Sequence, residues 1–130
     1  MKEELGGKLQ FELDLSQPLY EQVWNHVRSS VAKGVIGLGE KMPSVRELAQ
    51  MLQINPNTVM RAYQELERDG LTETRRGQGT FITSDPIKVA TVRESLAQAA
   101  VEEFLARMDG LGFTVRDVMQ MIRSKGGNGE

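Results

Sequence analysis

Residues 42–71, MPSVRELAQMLQINPNTVMRAYQELERDGL, spell two short helices with a tight link between them, and the rest of the chain is arranged around that pair. The first helix starts at Ser44. A serine accepts a backbone hydrogen bond at a helix N-terminus, and Glu47 three residues on completes a capping box. Val45, Leu48, Ala49 and Leu52 fall at i, i+3, i+4 and i+7, which makes one buried stripe. Arg46, Glu47, Gln50 and Met51 are left facing outward, and Gln53 to Pro56 ends the helix. The second helix begins at once. Asn55 is a good N-cap, and Pro56 suits the first helical position because its missing N–H has no intrahelical partner there. Val59, Ala62, Tyr63 and Leu66 form the buried stripe, and Gly70 closes the helix as a left-handed cap. The outward face of the first turns is Asn57, Thr58, Met60, Arg61 and Gln64.

Two helices of this length joined by a turn of three or four residues describe a helix-turn-helix. In that motif the second helix lies in the major groove of DNA with its N-terminal residues at base edges. An open helix N-terminus also attracts phosphate. Helical hairpins are common in proteins that never touch DNA, so the next stretch matters. Directly after Gly70 comes LTETRRGQGTFITS. Leu71, Thr72 and Thr74, then Thr80, Phe81 and Ile82, are strand formers on either side of Arg75-Arg76-Gly77-Gln78-Gly79. This is a β-hairpin with two arginines and two glycines at its tip. Gly77 and Gly79 permit tight geometry and close approach to another chain, and Arg75 and Arg76 suit phosphate or the minor groove. A helix-turn-helix followed by a basic-tipped hairpin is a winged helix.

Upstream, LQFELDL at residues 9–15 alternates strictly: Leu9, Phe11, Leu13 and Leu15 on one side, Gln10, Glu12 and Asp14 on the other. That period predicts a half-buried strand or extended edge. A helix is predicted from about Pro18 to Lys33, with Tyr20, Val23, Trp24, Val27 and Val31 inward. His26 falls off that stripe and is expected exposed, while Trp24 and Tyr63 are expected in the core. Gly34, Gly37 and Gly39 make a turn, with Lys41 near the entry to the central motif.

Downstream, Ser84-Asp85-Pro86 starts a long helix to about Met108, along which Val89, Val92, Leu96, Ala100, Phe104 and Met108 recur at steps of three and four. Ala97, Val101 and Leu105 run beside them, and Gly110 and Gly112 end the helix. Thr114 with Asp117 gives a second capping box, and Val115, Val118, Met119 and Ile122 make one more short amphipathic helix. Two helices are too little to enclose a core or a ligand pocket of usual size. The stripe of Val92, Leu96, Ala100, Phe104 and Met108, with Val118 and Ile122, therefore needs a partner: the winged domain, or a second copy in a two-fold dimer. Residues 1–8 and 125–130 are polar with glycines and are expected to be disordered tails.

A length of 130 residues favours one domain, or one domain with an appendage. An apolar content of 39% with 26% charged residues is ordinary for a soluble globular protein. No apolar run is long enough to span a bilayer, and MKEELGGKLQ is no signal peptide. With no cysteine there is no disulfide frame, which fits the cytoplasm. The single histidine argues against a histidine-based metal site, and no cofactor is expected. No paired carboxylates, nucleophile motif or glycine-rich phosphate loop appears, and GQG at 77–79 is too short to count, so no catalytic residue is assigned and an enzyme is not expected. The net charge of −2 is unusual for a nucleic-acid domain. Residues 41–76 hold six basic and five acidic side chains, close to neutral. Placement decides more than the sum: Arg46, Arg61, Arg75 and Arg76 lie on the expected contact face, while Glu65, Glu67 and Asp69 lie toward the far end of the second helix. Weak non-specific affinity with specificity resting on a few arginines is expected. The acidic balance also permits a rival, a winged helix that serves only as a protein-interaction module. Phosphate-driven binding falls steeply with salt, and this separates the two.

The run GEKMPSVRELAQMLQINPNTVMRAYQELERDGLTETRRGQGTFI (39–82), with PLYEQVWNHVRSSVAKGVI (18–36) before it, resembles the DNA-binding domain of the GntR family of bacterial transcription regulators over roughly residues 10–83. The short C-terminal part, with NPNTV and RAYQELE, is similar to the YtrA-like subfamily, whose two-helix extension serves to dimerise. The resemblance implies a cytoplasmic homodimeric repressor of a nearby operon, often one for an ABC transporter, that binds a palindromic double-stranded DNA operator. Whether a small-molecule effector exists stays open. The family's arginine at the place of Arg46 contacts DNA. Met60 departs from the wider family, which often has arginine there; methionine cannot hydrogen-bond a guanine edge but can touch a thymine methyl, so the wider family's operator does not transfer. Pro56 also replaces a frequent arginine, in agreement with the YtrA-like pattern.

The expected fold class is α+β, mostly α: a winged helix-turn-helix domain over residues 9–83 and a helical dimerisation region over 84–124. The expected DNA contacts are Ser44, Arg46, Asn57, Thr58, Arg61, Arg75, Arg76, Gly77 and Gly79. Arg61 can reach guanine bidentately, and Ser44 is first a helix cap and also a phosphate ligand.

Overall fold

Local hydrogen-bonding devices written in the sequence set the helix boundaries of the computed structural model, which describes residues 8–126. Helix α1 spans Leu19–Ala32, α2 Val45–Leu52 and α3 Pro56–Arg68. At α2, Ser44 Oγ accepts from the Glu47 N–H at 3.0 Å, and Glu47 Oε1 accepts from the Ser44 N–H at 2.8 Å. At α3, the Asn55 side chain accepts from the Asn57 N–H at 2.8 Å, with Pro56 at the first helical position. Both helices end in the same way. After α3 the Gly70 N–H reaches Glu67 O and the Leu71 N–H reaches Leu66 O, with Gly70 at φ +80°. After α2 the Gln53 N–H reaches Gln50 O and the Ile54 N–H reaches Ala49 O. These are Schellman closures, and the second puts Gln53, not glycine, at φ 57°. The three-residue link between α2 and α3 is therefore a turn closed by the N–H groups of Gln53 and Ile54.

Helix α3 packs against α1, α2 and the hairpin. Its buried residues are the predicted stripe, Val59, Ala62, Tyr63 and Leu66. They meet a core of Val23, Val27 and Val31 from α1, Leu48 and Ala49 from α2, and Ile36, Met42, Leu71 and Ile82 from the connecting segments and the hairpin. Each such aliphatic side chain contributes about 1.5–3 kcal/mol on full burial. The Tyr63 hydroxyl donates to Pro43 O at 2.7 Å, which ties the middle of α3 to the entry of α2. Burial, helped by the Glu47 carboxylate, raises the Tyr63 phenol above its ordinary pKa of 10.0.

The hairpin is β1 (Thr72–Arg75) paired antiparallel to β2 (Gly79–Ile82), with Thr74 opposite Thr80 and Arg75 opposite Gly79. The other edge of β2 is taken by the chain at Glu40–Met42. The Met42 N–H donates to Thr80 O and the Ile82 N–H to Glu40 O, both at 2.8 Å, and Lys41 bridges to Phe81. The wing is thus fastened to the segment that leads into α2.

The predicted strand over residues 9–15 is absent, which corrects the reading from period two. Lys8 and Leu9 are helical and residues 10–14 are irregular. The edge of β2 is already occupied, and the segment packs against α1 instead. Leu9 is buried, Phe11 stacks on His26 at 4.1 Å, and His26 Nε2 lies 3.2 Å from Lys8 O. His26 is therefore half-buried, contrary to the expectation of exposure. Trp24 is half-buried rather than core, because its indole N–H must reach Asp69 Oδ2, at 2.7 Å. Leu15 is exposed and does not join the apolar side.

Two compact units are present, one up to Arg93 and one from Glu94 onward. Helix α4 runs from Pro86 to Gly110 and α5 from Val115 to Gly126. Asp85 Oδ1 accepts from the Ile87 N–H at 2.9 Å, so Ser84-Asp85-Pro86 is the helix start that the sequence announces. Thr114 and Asp117 form the second capping box, at 2.9 and 3.1 Å. Helix α5 continues through Lys125 to Gly126, into the stretch expected as a tail. The remainder of that stretch and residues 1–7 lie outside the described residues. In the second unit Val118 is the buried apolar side chain, while Val101, Phe104, Leu111, Val115 and Ile122 are exposed. Val92, in the first unit, is buried at 9% exposure. Among the described residues no helix is long and apolar enough to cross a membrane.

Candidate nucleic-acid interface

The polar face of α3 is open because its caps use backbone and Asn55, not the side chains expected to meet DNA. Asn57 contributes its N–H to the Asn55 cap and Thr58 its N–H to Asn55 O. Among the described residues, neither side chain is held in a hydrogen bond. Asn57 is exposed and Thr58 half-exposed. Arg61 is exposed, and its guanidinium carbon lies over the Tyr20 ring of α1, 3.7 Å from the centroid. The i+4 ion pair with Glu65 that a helix surface offers it is not made; Glu65 pairs with Arg68 at 3.4 Å instead. Met60 is exposed on the same helix.

Arg46 comes to this end of α3 through the helix-turn-helix geometry. With Gln50, Gln53, Ile54 and Pro56 it lines a shallow depression of about 490 Å³ at the α2–α3 junction. Arg46 is exposed and forms no ion pair among the described residues. Ser44 Oγ is an acceptor in its own capping box, which leaves its O–H as a donor. The acidic groups of α3 sit elsewhere and are engaged. Glu67 accepts from Thr74 Oγ1 at 3.4 Å, and Asp69 accepts from Trp24.

In the wing the two arginines differ. Arg75 stacks over Phe81 at 4.1 Å and pairs with Glu73 at 3.5 Å. Arg76 is exposed at the tip, with no stacking or ion-pair partner among the described residues. Gly77 at φ +76° and Gly79 at φ +120° carry backbone that L-residues with side chains avoid. A Cβ on Gly79 would also meet Lys41 Cε at 3.1 Å. Lys41 is the cation that sequence reasoning left out. Its ammonium lies 5.9 Å from the Phe81 ring, on the strand edge opposite Arg75. The missed signal was the isolated extended segment 40–42, too short to read as a strand. Among the described residues, no cluster of histidine, aspartate and glutamate is placed to hold a metal ion.

Known proteins resemble this chain in sequence and in fold. Residues 19–82 match the model of the bacterial regulatory proteins of the gntR family. An HTH-type transcriptional regulator of Bacillus subtilis, YhcF, is 38% identical over 84% of this chain and 90% of its own length. The HTH-type transcriptional repressor YtrA of the same organism is 38% identical over 78% of this chain and 82% of its own. A GntR family transcriptional regulator from Listeria monocytogenes superposes with a TM-score of 0.78 at 32% identity, over 86% of this chain and 98% of that one. Family match, relatives aligned over most of their length and the winged-helix fold agree: this chain belongs to the GntR family of DNA-binding transcription regulators.

Proposed function

We propose that the protein is a homodimeric, YtrA-like repressor that acts in the cytoplasm on a palindromic operator. The observation that carries the reading is the open face at the start of α3: Asn57, Thr58 and Arg61 exposed or half-exposed, with Arg46 beside the α2–α3 turn. Asn57, Thr58 and Arg61 meet base edges, Arg61 as a bidentate donor to guanine. Ser44, Arg46, Lys41, Arg76 and the backbone at Gly77 and Gly79 hold phosphates or the minor groove, with Arg75 fixed against Phe81 behind them. Residues 9–83 form the reading domain and residues 84–124 the dimerisation region. Val92, Leu96, Ala100, Phe104, Met108, Val118 and Ile122 make the dimerisation surface, of which Val92 and Val118 are buried in the single chain. The exposed apolar side chains of α4 and α5 support this assignment, since a patch of that kind marks an interaction surface. Repression is supported by the named activity of the Bacillus subtilis repressor.

The test is fluorescence anisotropy of the purified protein on the DNA immediately upstream of its own gene, with scrambled duplex as competitor, at two salt concentrations. Binding that survives excess scrambled duplex and weakens with salt is expected. Equal binding to both duplexes without salt dependence would favour a protein-interaction module instead.

A further inference from the structure

The geometry points to Tyr20 of α1 as the residue that positions Arg61 for base reading. The inference rests on the proposed role of Arg61 and adds to it a determinant outside the helix-turn-helix. The guanidinium lies 3.7 Å from the centroid of the Tyr20 ring. That distance is a stack, in which the ring face attracts the cation and fixes its plane while leaving the N–H edge open. Arg61 is exposed, forms no ion pair among the described residues, and its i+4 neighbour Glu65 is engaged by Arg68. The ring is thus the contact that orients it. Tyr20 is half-buried in the first turn of α1, and its hydroxyl donates to the neighbouring Glu21 Oε2 at 3.3 Å.

A long arginine on a helix surface samples many rotamers and gives up that freedom when it binds a base. A guanidinium already held in one plane gives up less, so the stack favours the bidentate geometry over looser phosphate contact. The ring therefore raises discrimination at the base pair that Arg61 reads. It leaves binding to the rest of the site unchanged. The same pairing recurs in the wing, where Arg75 lies over Phe81 at 4.1 Å. There the arginine is also drawn to Glu73, whereas among the described residues Arg61 has the ring alone.

The experiment selects duplexes from a randomised DNA library with the full chain, its Arg61→Ala variant, Tyr20→Phe and Tyr20→Leu. Tyr20→Met replaces Leu if the Leu variant does not fold, as judged by its melting temperature. Arg61→Ala should erase the preference at one base pair of each half-site. Tyr20→Leu should lower the preference at that same base pair about two- to fivefold, the factor that corresponds to a cation–π contact of about 0.5–1 kcal/mol. Tyr20→Phe, which keeps the ring, should restore it. A Tyr20→Leu profile equal to the parent's, with Arg61→Ala defective, overturns the positioning role alone. A uniform loss on every sequence, in Leu and Phe alike, makes Tyr20 a backbone contact and overturns it too. A parent-like Arg61→Ala profile overturns the base-reading role of Arg61, and the positioning role with it.

Discussion

At the scale of the residue, the interface is decided by which side chains are spent on structure and which are left over. Asn55 is spent on a cap, and Asn57 beside it is not. Arg61→Ala should weaken specific binding by about 1–3 kcal/mol and relax one base pair, whereas Arg76→Ala should weaken binding evenly across sequences and flatten the salt dependence; titrations on two duplexes check both. Gln53 is held at φ 57° to close α2, a conformation that costs a residue with a Cβ roughly 1–2 kcal/mol. Part of that returns with glycine, less its greater chain entropy. Gln53→Gly should therefore raise the melting temperature, and a drop would show that the side chain supports the turn.

Tyr63 gives a prediction in pH. Its phenol is raised in the folded state by burial. The unfolded chain therefore ionises first, and stability holds below about pH 10 and falls as pH rises above it. Tyr63→Phe should cost about 1 kcal/mol at neutral pH by leaving Pro43 O without its donor, and should flatten the alkaline fall. Urea midpoints measured between pH 8 and 11 would show both effects.

At the scale of the element, legibility followed the range of the interaction. The caps at Ser44, Asn55, Asp85 and Thr114 and the stripe of α3 involve neighbours within a turn or two, and the sequence declared them; of the α2 stripe Leu48 and Ala49 are buried, while Val45 and Leu52 are half-buried. The segment 9–15 has the period of a strand, but a strand needs an edge, and the chain at Glu40–Met42 holds the edge of β2. Which of the two segments pairs there is a long-range competition that no local period records. Lys41, read only as lying near the entry to the motif, and Tyr20, read as core, were not placed at the candidate site for the same reason. Each reaches the candidate site only through packing between elements distant in sequence, Lys41 against Phe81 and Tyr20 against Arg61. The buried stripe of α3 carries its own test. Leu66→Ala leaves a cavity between α3 and its neighbours and should destabilise the first unit by about 2–5 kcal/mol in chemical denaturation.

At the scale of the whole molecule, the helices α4 and α5 leave apolar side chains such as Phe104 (46% exposed) and Ile122 (57% exposed) in water. A charge there should abolish association without unfolding the chain. Phe104→Glu is expected to run as a monomer in light scattering with its melting behaviour largely kept, and to lose affinity for a two-half-site duplex more than for a single half-site. With a net charge of −2, DNA affinity must come from local cations against an acidic whole. The most direct measurement is therefore the salt dependence of binding to a duplex selected by the protein. If Lys41, Arg46 and Arg76 of both protomers neutralise six phosphates, log Kobs should fall against log salt with a slope of about −5. A slope near zero would contradict a phosphate-anchored, operator-reading dimer.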